Sequence, residues 1–240
     1  MSNWVARRFW QDVEVKHSSS GWKILLDQYF ARTPGKSILL LPARSLAEQI
    51  ASEWSAQDSI ISIQSMPFTR LANTAIDKVS AHTDEIVRAV VAYGDSDLLC
   101  YRADKPEELI RRQSENWDMV LAWAVKALGI RLEIRYGVIH RSQPLRVIRT
   151  LEKHVRSLTP FHLTAFFELV TLSGSIVLAF AAIRNWRETE TIWQLSRLDE
   201  LWQEELWGRD NDAQQATEIK KTAFCQAKLF FDLASDKNQA

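Results

Sequence analysis

Glycine is scarce in this chain, seven in 240 residues, and the scarcity excludes much chemistry. A loop that cradles phosphate or a dinucleotide needs glycines so that backbone can approach the ligand. Neither GxxxxGK nor GxGxxG occurs, and HExxH and GxSxG are missing as well, which removes familiar signatures of nucleotide, metal and acyl-transfer sites. Cysteine is limited to Cys100 and Cys225, far apart and without CxxC spacing, so a disulfide-stapled secreted domain is excluded and a reducing compartment expected. Neither sign of charge prevails, with 30 basic and 30 acidic side chains, so no global field draws a polyanion and no nucleic-acid partner is expected. The five histidines are scattered, which leaves no metal site and no cofactor expected. The opening "MSNWVARRFWQDVEV" lacks an apolar leader core and a cleavage pattern, so the chain is expected to stay in the compartment where it is made. Long apolar runs are also lacking. The nearest, residues 163–183, carries Glu168 and is broken by Ser173, Gly174 and Ser175, so it reads as two buried helices and no membrane insertion is expected.

What is present is ordinary globular composition, 46% hydrophobic and 25% charged, enough for a real core. The first third reads as strands and then a helix. "DVEVKH", "WKILLD" and "ILLLP" form a meander joined by turns at "SSSG" and "TPGKS". A helix then repeats Leu46, Ile50 and Trp54, with Ser45 and Glu48 as a capping box. From Pro67 onward helical periodicity dominates. Helices are expected from Pro67, from Thr83 as N-cap, and over 106–128, 144–158, 160–172, 175–185, 187–207 and 213–233. Only "DLLCYRA" (97–103) and "RLEIRYGVIH" (131–140) read as later strands. Strands first and helices afterwards indicate α+β: a small N-terminal antiparallel sheet with a covering helix in an α/β domain over 1–103, and a helical bundle over 104–240.

Three constellations rise above this background. In "SMPFTRLANTAID", Arg70, Asn73, Thr74 and Asp77 share one helical face. As a polar network they either lock the helix against the bundle or face a partner, and Asn and Thr in place of flexible Lys and Glu favour the lock. Charge is segregated locally, since residues 131–156 hold seven basic side chains against Glu133 and Glu152, whereas 187–212 hold eight acids against three arginines. In "LDELWQEELWGRD", Leu198, Leu201, Trp202 and Leu206 form a buried stripe, Asp199, Glu200 and Glu204 point away, and Trp207 joins the outer side before Gly208 ends the helix. An aromatic anchor ringed by carboxylates suits recognition of a basic, apolar protein surface, unless Trp207 packs under the loop at 208–213. Two other readings are weaker: an enzyme built on the polar cluster Asp95, Asp97 and Arg102, and salt-dependent nucleic-acid binding by the arginines of 131–156.

The series "RRFW", "GWKILLD", "TPGKSILLLP", "LAEQIASEW", "MPFTRLANTAID", "DLLCYRA", Gln113-x3-Trp117-Asp118, "SGSIVLA" and "LDELWQEELWG" resembles, in order and over nearly the whole chain, the assembly chaperones of the F-type ATP synthase catalytic head that attend its alpha subunit. The resemblance implies a non-enzymatic chaperone that binds free alpha subunit, prevents its aggregation and delivers it for pairing with beta subunits; separately, a monomer is expected. It also implies a small α/β layer followed by an orthogonal helical bundle. Importance attaches by resemblance to Asp199 with Glu200, and to Thr69, Arg70, Asn73, Thr74 and Asp77. Where relatives have a "DGR" hairpin this chain has "DQYFART" at 27–33. With "RRFW" beginning at Arg7, a bacterial, cytoplasmic protein is expected, or a mitochondrial matrix protein if the chain is a processed eukaryotic one.

Overall fold

The computed structural model describes residues 7–137 and 139–235. By backbone proximity these fall into two compact units. One comprises the chain up to Thr83 together with Pro160–Ala165 and the residues from Leu229; the other comprises Asp84–Thr159 and Phe166–Lys228. Residues 84–103 thus group with the helical unit.

In the first unit β1 (Val13–Ser18) pairs antiparallel with β2 (Gly21–Leu26) in the register Val13↔Leu26 to Ser18↔Gly21. β2 is the central strand, and its other edge takes β3 (Tyr29–Phe30) and β4 (Leu40–Leu41). The expected meander is therefore present, with β3 added where "DQYFART" turns. That turn is two residues long, between Leu26 and Tyr29, and Asp27 takes φ +54, a left-handed conformation that Asp tolerates better than most residues. Its carboxylate fastens the strand start by accepting the N–H groups of Gln11 and Asp12 at 3.0 and 2.9 Å. Arg8, from "RRFW", donates to the carbonyls of Trp10, Gln11, Ser55 and Gln57.

Helix α1 (Arg44–Ser55) covers the sheet with Leu46, Ala47 and Ile50, all fully buried. The expected capping box is not formed. The helix starts two residues earlier, after Ala43, so the Ser45 hydroxyl lies in the first turn and donates to the Leu233 carbonyl at 3.0 Å. Glu48 pairs with Arg44 instead. α2 (Pro67–Thr74) also lacks a side-chain cap of its own. Buried Glu53 of α1 supplies it, accepting the N–H groups of Phe68 and Thr69 and the Thr69 hydroxyl, each at 2.7 Å. Three donors at a helix N-terminus stabilise the carboxylate, yet burial is the larger influence and raises its pKa above the ordinary value. The Phe68, Phe161 and Phe230 rings stack in succession in this core.

The second unit opens with α3 (Thr83–Asp95), whose Thr83 hydroxyl donates back to the Val79 carbonyl. β5 (Tyr101–Arg102) and β6 (Arg135–Tyr136) form a parallel two-residue ladder inside the two stretches expected as strands. Between them runs α4 (Glu107–Leu128), burying Trp117, Val120 and Ala124, and ending at Gly129 with φ +69, the left-handed stop that glycine adopts at least cost. α5 (Leu145–Arg156) follows. α6 (Pro160–Ser173) contributes its first residues to the first unit and the remainder to the second. α7 (Ile176–Ile183) is buried almost throughout. The apolar run at 163–183 is thus two helices broken at Gly174, as expected, and no helix among the described residues is long and apolar enough to cross a membrane. α8 (Thr189–Ser196), α9 (Leu198–Trp207) and α10 (Asn211–Leu233) complete the α+β architecture.

Candidate functional site

The residues 187–207, expected as one helix, are two, and the break builds the surface that follows. Arg197 leaves helical geometry at φ −109, ψ 14. The Ser196 hydroxyl donates to the Trp193 carbonyl at 2.6 Å, and the Leu195 carbonyl, freed from the helix ladder, accepts the indole N–H of buried Trp117 at 2.9 Å. A buried carbonyl with a ready outside donor removes the cost of ending a helix there.

α9 then starts afresh, with Asp199 and Glu200 in its first turn, where carboxylates favour the positive end of the helix dipole. The Asp199 Oδ1 accepts the side-chain N–H of Gln113 at 2.8 Å, and the other end of that amide accepts the Ala103 N–H at 2.9 Å. Gln113 is only 1% exposed, so Asp199 satisfies a donor that water cannot reach. Glu200 pairs with Arg197 at 2.6 Å, and Glu204 lies 4.0 Å from Arg209. Glu205 forms a two-pronged pair with Arg112 at 2.5 and 2.8 Å, which holds its carboxyl below the usual range, and the Arg112 guanidinium also lies over the Trp202 ring. The acids around Trp207 are therefore held in place by α4 and by neighbouring arginines. A depression of about 190 Å³ lies alongside, lined in part by Arg112, Asn116, Leu198 and Leu201.

Leu198 is buried and Leu201 and Trp202 half-buried, but Leu206, expected in the buried stripe, is 56% exposed, beside Trp207 at 78%. The stripe ends a turn early because α9 terminates at Gly208, with φ +87, and nothing covers its last turn among the described residues. Of the four residues expected to bind a partner, Asp199 is engaged within the fold, Glu200 and Glu204 have arginine neighbours, and Trp207 stands in solvent. Sequence reasoning did not single out Arg112 or Glu205. The motif Gln113-x3-Trp117-Asp118 has no role legible from sequence. Each member now has one: Gln113 holds Asp199, Trp117 holds Leu195, and Asp118 pairs with Arg102 at 2.8 Å.

The other polar run lies in the first unit. Asp77 accepts the Thr33 hydroxyl at 2.7 Å and the Gly35 N–H at 2.8 Å, fastening the turn between β3 and β4. The Thr74 hydroxyl donates to its own helix at the Arg70 carbonyl, Arg70 is exposed, and the buried Asn73 Oδ1 has no hydrogen-bond partner. No side-chain to side-chain hydrogen bond links the four among the described residues. The helix widens to a π-turn over Ala75–Val79, which rotates Asp77 away from the register that a regular helix would give it.

The cluster Asp95, Asp97 and Arg102 is woven into the fold. Asp97 is fully buried and accepts the Ser175 hydroxyl and the N–H groups of Leu99 and Val177, while Ser175 caps α7 by accepting the Leu178 N–H. Burial lifts the Asp97 carboxyl to about 6 despite these bonds. Arg102, also buried, donates to the Leu99 carbonyl and lies over the Trp117 ring, and Asp95 accepts the Gln143 N–H at 2.6 Å. Cys100 is buried next to them, which raises its thiol pKa.

The α+β fold is shared with solved structures. The chain superposes with a TM-score of 0.92 on crystallised Atp12 from Paracoccus denitrificans at 43% identity, over 96% of this chain and 99% of that one. A lysine-for-aspartate mutant of the same protein matches equally. The Atu1473 protein of Agrobacterium tumefaciens matches with a TM-score of 0.90 and 36% identity over 96% of this chain and 87% of that one. Mitochondrial protein atp12 of Schizosaccharomyces pombe is 25% identical over 221 residues, 87% of this chain and 76% of the yeast one. The ATP12 chaperone protein family matches residues 7–125. The chain belongs to the ATP12 chaperone family.

Proposed function

We propose that this chain is an assembly chaperone of the F-type ATP synthase and that its client is the free alpha subunit of the catalytic head. It acts as a monomer without cofactor, in the bacterial cytoplasm or the mitochondrial matrix, and delivers the client for alpha/beta pairing. Membership of the ATP12 chaperone family supports the assembly role. The observation that carries a binding surface is Trp207, 78% exposed next to Leu206 on a helix end fixed by Gly208. An orphan subunit exposes apolar surface that its final partner will bury, and a rigid aromatic is the kind of side chain on which binding energy concentrates. Asp199, Glu200 and Glu204 supply the acidic surround. Of Arg70, Asn73, Thr74 and Asp77, Asp77 is assigned to holding the first unit together through its clasp on Thr33 and Gly35.

The test is co-expression with the alpha and, separately, the beta subunit of the same ATP synthase, followed by size-exclusion chromatography with light scattering. A one-to-one complex with alpha alone is expected, and Trp207→Ala should weaken it about tenfold or more with an unchanged melting temperature. Absence of a complex with soluble alpha subunit overturns the proposal.

A further inference from the structure

The surface of the second unit carries another unpartnered stripe, of opposite electrostatic character. On α4, Asp118, Leu121, Ala122 and Val125 follow the i, i+3, i+4, i+7 spacing of one helix face, and they line a depression of about 260 Å³. A second depression of about 320 Å³ adjoins it, sharing Val125 and Arg131 and reaching Arg146, Val147 and Thr150 of α5. Val125 is 37% and Ile134 41% exposed, so apolar surface lies open along the line. Asp118, the acid in the lining, is already paired with Arg102 at 2.8 Å. Arg131 and Arg146 are exposed and pair with no carboxylate among the described residues. The two depressions share Val125 and Arg131 and so adjoin in one partly apolar trough, with the unneutralised guanidinium groups of Arg131 and Arg146 in its lining.

We infer that this trough docks an amphipathic helix of a partner protein, its apolar face against Leu121, Val125 and Ile134 and its Asp or Glu side chains on Arg131 and Arg146. Complementarity dictates the choice. An apolar floor selects a helix read through i, i+3, i+4 and i+7 anchors, and unpaired cations on the rim select acidic flanks and disfavour basic ones. A nucleic acid would leave the aliphatic floor unused, and Arg131 and Arg146 are too few to retain it at physiological salt.

The probe is a fluorescein-labelled synthetic helical peptide with leucines at i, i+3, i+4 and i+7 and glutamates between them, titrated with the full chain and read by anisotropy. A second peptide keeps the leucines and replaces glutamate with lysine. The acidic peptide should bind about tenfold or more tightly than the basic one. The double variant Arg131→Glu/Arg146→Glu should abolish or reverse that preference, and Val125→Asp should weaken both peptides. All three substitutions lie at exposed positions. Equal binding of the two peptides, binding indifferent to these substitutions, or displacement of the acidic peptide by an oligonucleotide at equal concentration would overturn the inference. Trp207→Ala should leave peptide binding unchanged, which keeps this outcome separate from that of the alpha-subunit test.

Discussion

Replacing Asp199 by Lys, Ala or Asn separates two ways in which this acid can matter. Its Oδ1 accepts a 2.8 Å bond from Gln113, a side chain 1% exposed whose other end holds the Ala103 backbone. Asp199→Lys and Asp199→Ala remove the acceptor and strand a buried amide N–H, a loss of about 1–3 kcal/mol. For a chain of this size that corresponds to a melting temperature lower by roughly 2–12 °C. Asp199→Asn keeps an oxygen in the same place and should cost under about 1 kcal/mol. Thermal melts of the three variants, with amide exchange measured over 198–207, read the effect directly: α9 should lose protection in the Lys and Ala variants and keep it in the Asn variant. In an alpha-subunit titration, a positioning role lets Asn bind as the parent does, whereas a direct charge contact makes it as poor as Ala. Equal melting temperatures for Lys and Asn would refute the assignment of Asp199 as the anchor of α9.

Two further outcomes follow from buried carboxylates. Glu53→Ala deprives Phe68, Thr69 and the Thr69 hydroxyl of their acceptor and should cost about 3–5 kcal/mol in urea unfolding, while Glu53→Gln, which keeps one acceptor oxygen, should cost less than half of that; equal losses would contradict the capping role. Asp97 is held at about 6 in the fold against 3.8 for a free side chain, so the folded state binds the extra proton between those values. Stability from this group is full below the lower value and falls by up to about 3 kcal/mol as pH rises through the upper one. Asp97→Asn should flatten that slope in urea midpoints measured from pH 4 to 7, and an unchanged slope would place the titration elsewhere.

Much of the architecture was legible because it depends on local pattern. The alternation in 13–26 fixed two strands, the broken apolar run at 163–183 announced two helices, and Gly208 announced the end of α9. What escaped depends on partners distant in sequence. Ser45 and Glu48 have the spacing of a capping box, but a carbonyl at Leu233 and the side chain of Arg44 compete for them. Nothing in 187–207 marks the break at Arg197, because the group that makes it tolerable is the indole of Trp117. The π-turn at 75–79 likewise undoes a face that a regular helix would have formed. At the candidate surface, Trp207 was visible as an oddity on the helical wheel, whereas the dependence of Asp199 on Gln113 and of Glu205 on Arg112 belongs to tertiary structure alone.

The core around β2 and α1 is closed by Phe230 and Ala234, and Ser45 is bonded to Leu233. The sheet is therefore made early on the ribosome and finished late, after every residue of 84–228 has been synthesised. The helical unit has all its residues before the sheet does, which reverses the usual order in which N-terminal parts mature first. Until then the buried faces of Ile24, Leu39, Leu41 and Leu46 wait without their last covering, so a protein of a chaperone family is, during its own synthesis, a chain with unfinished apolar surface of its own.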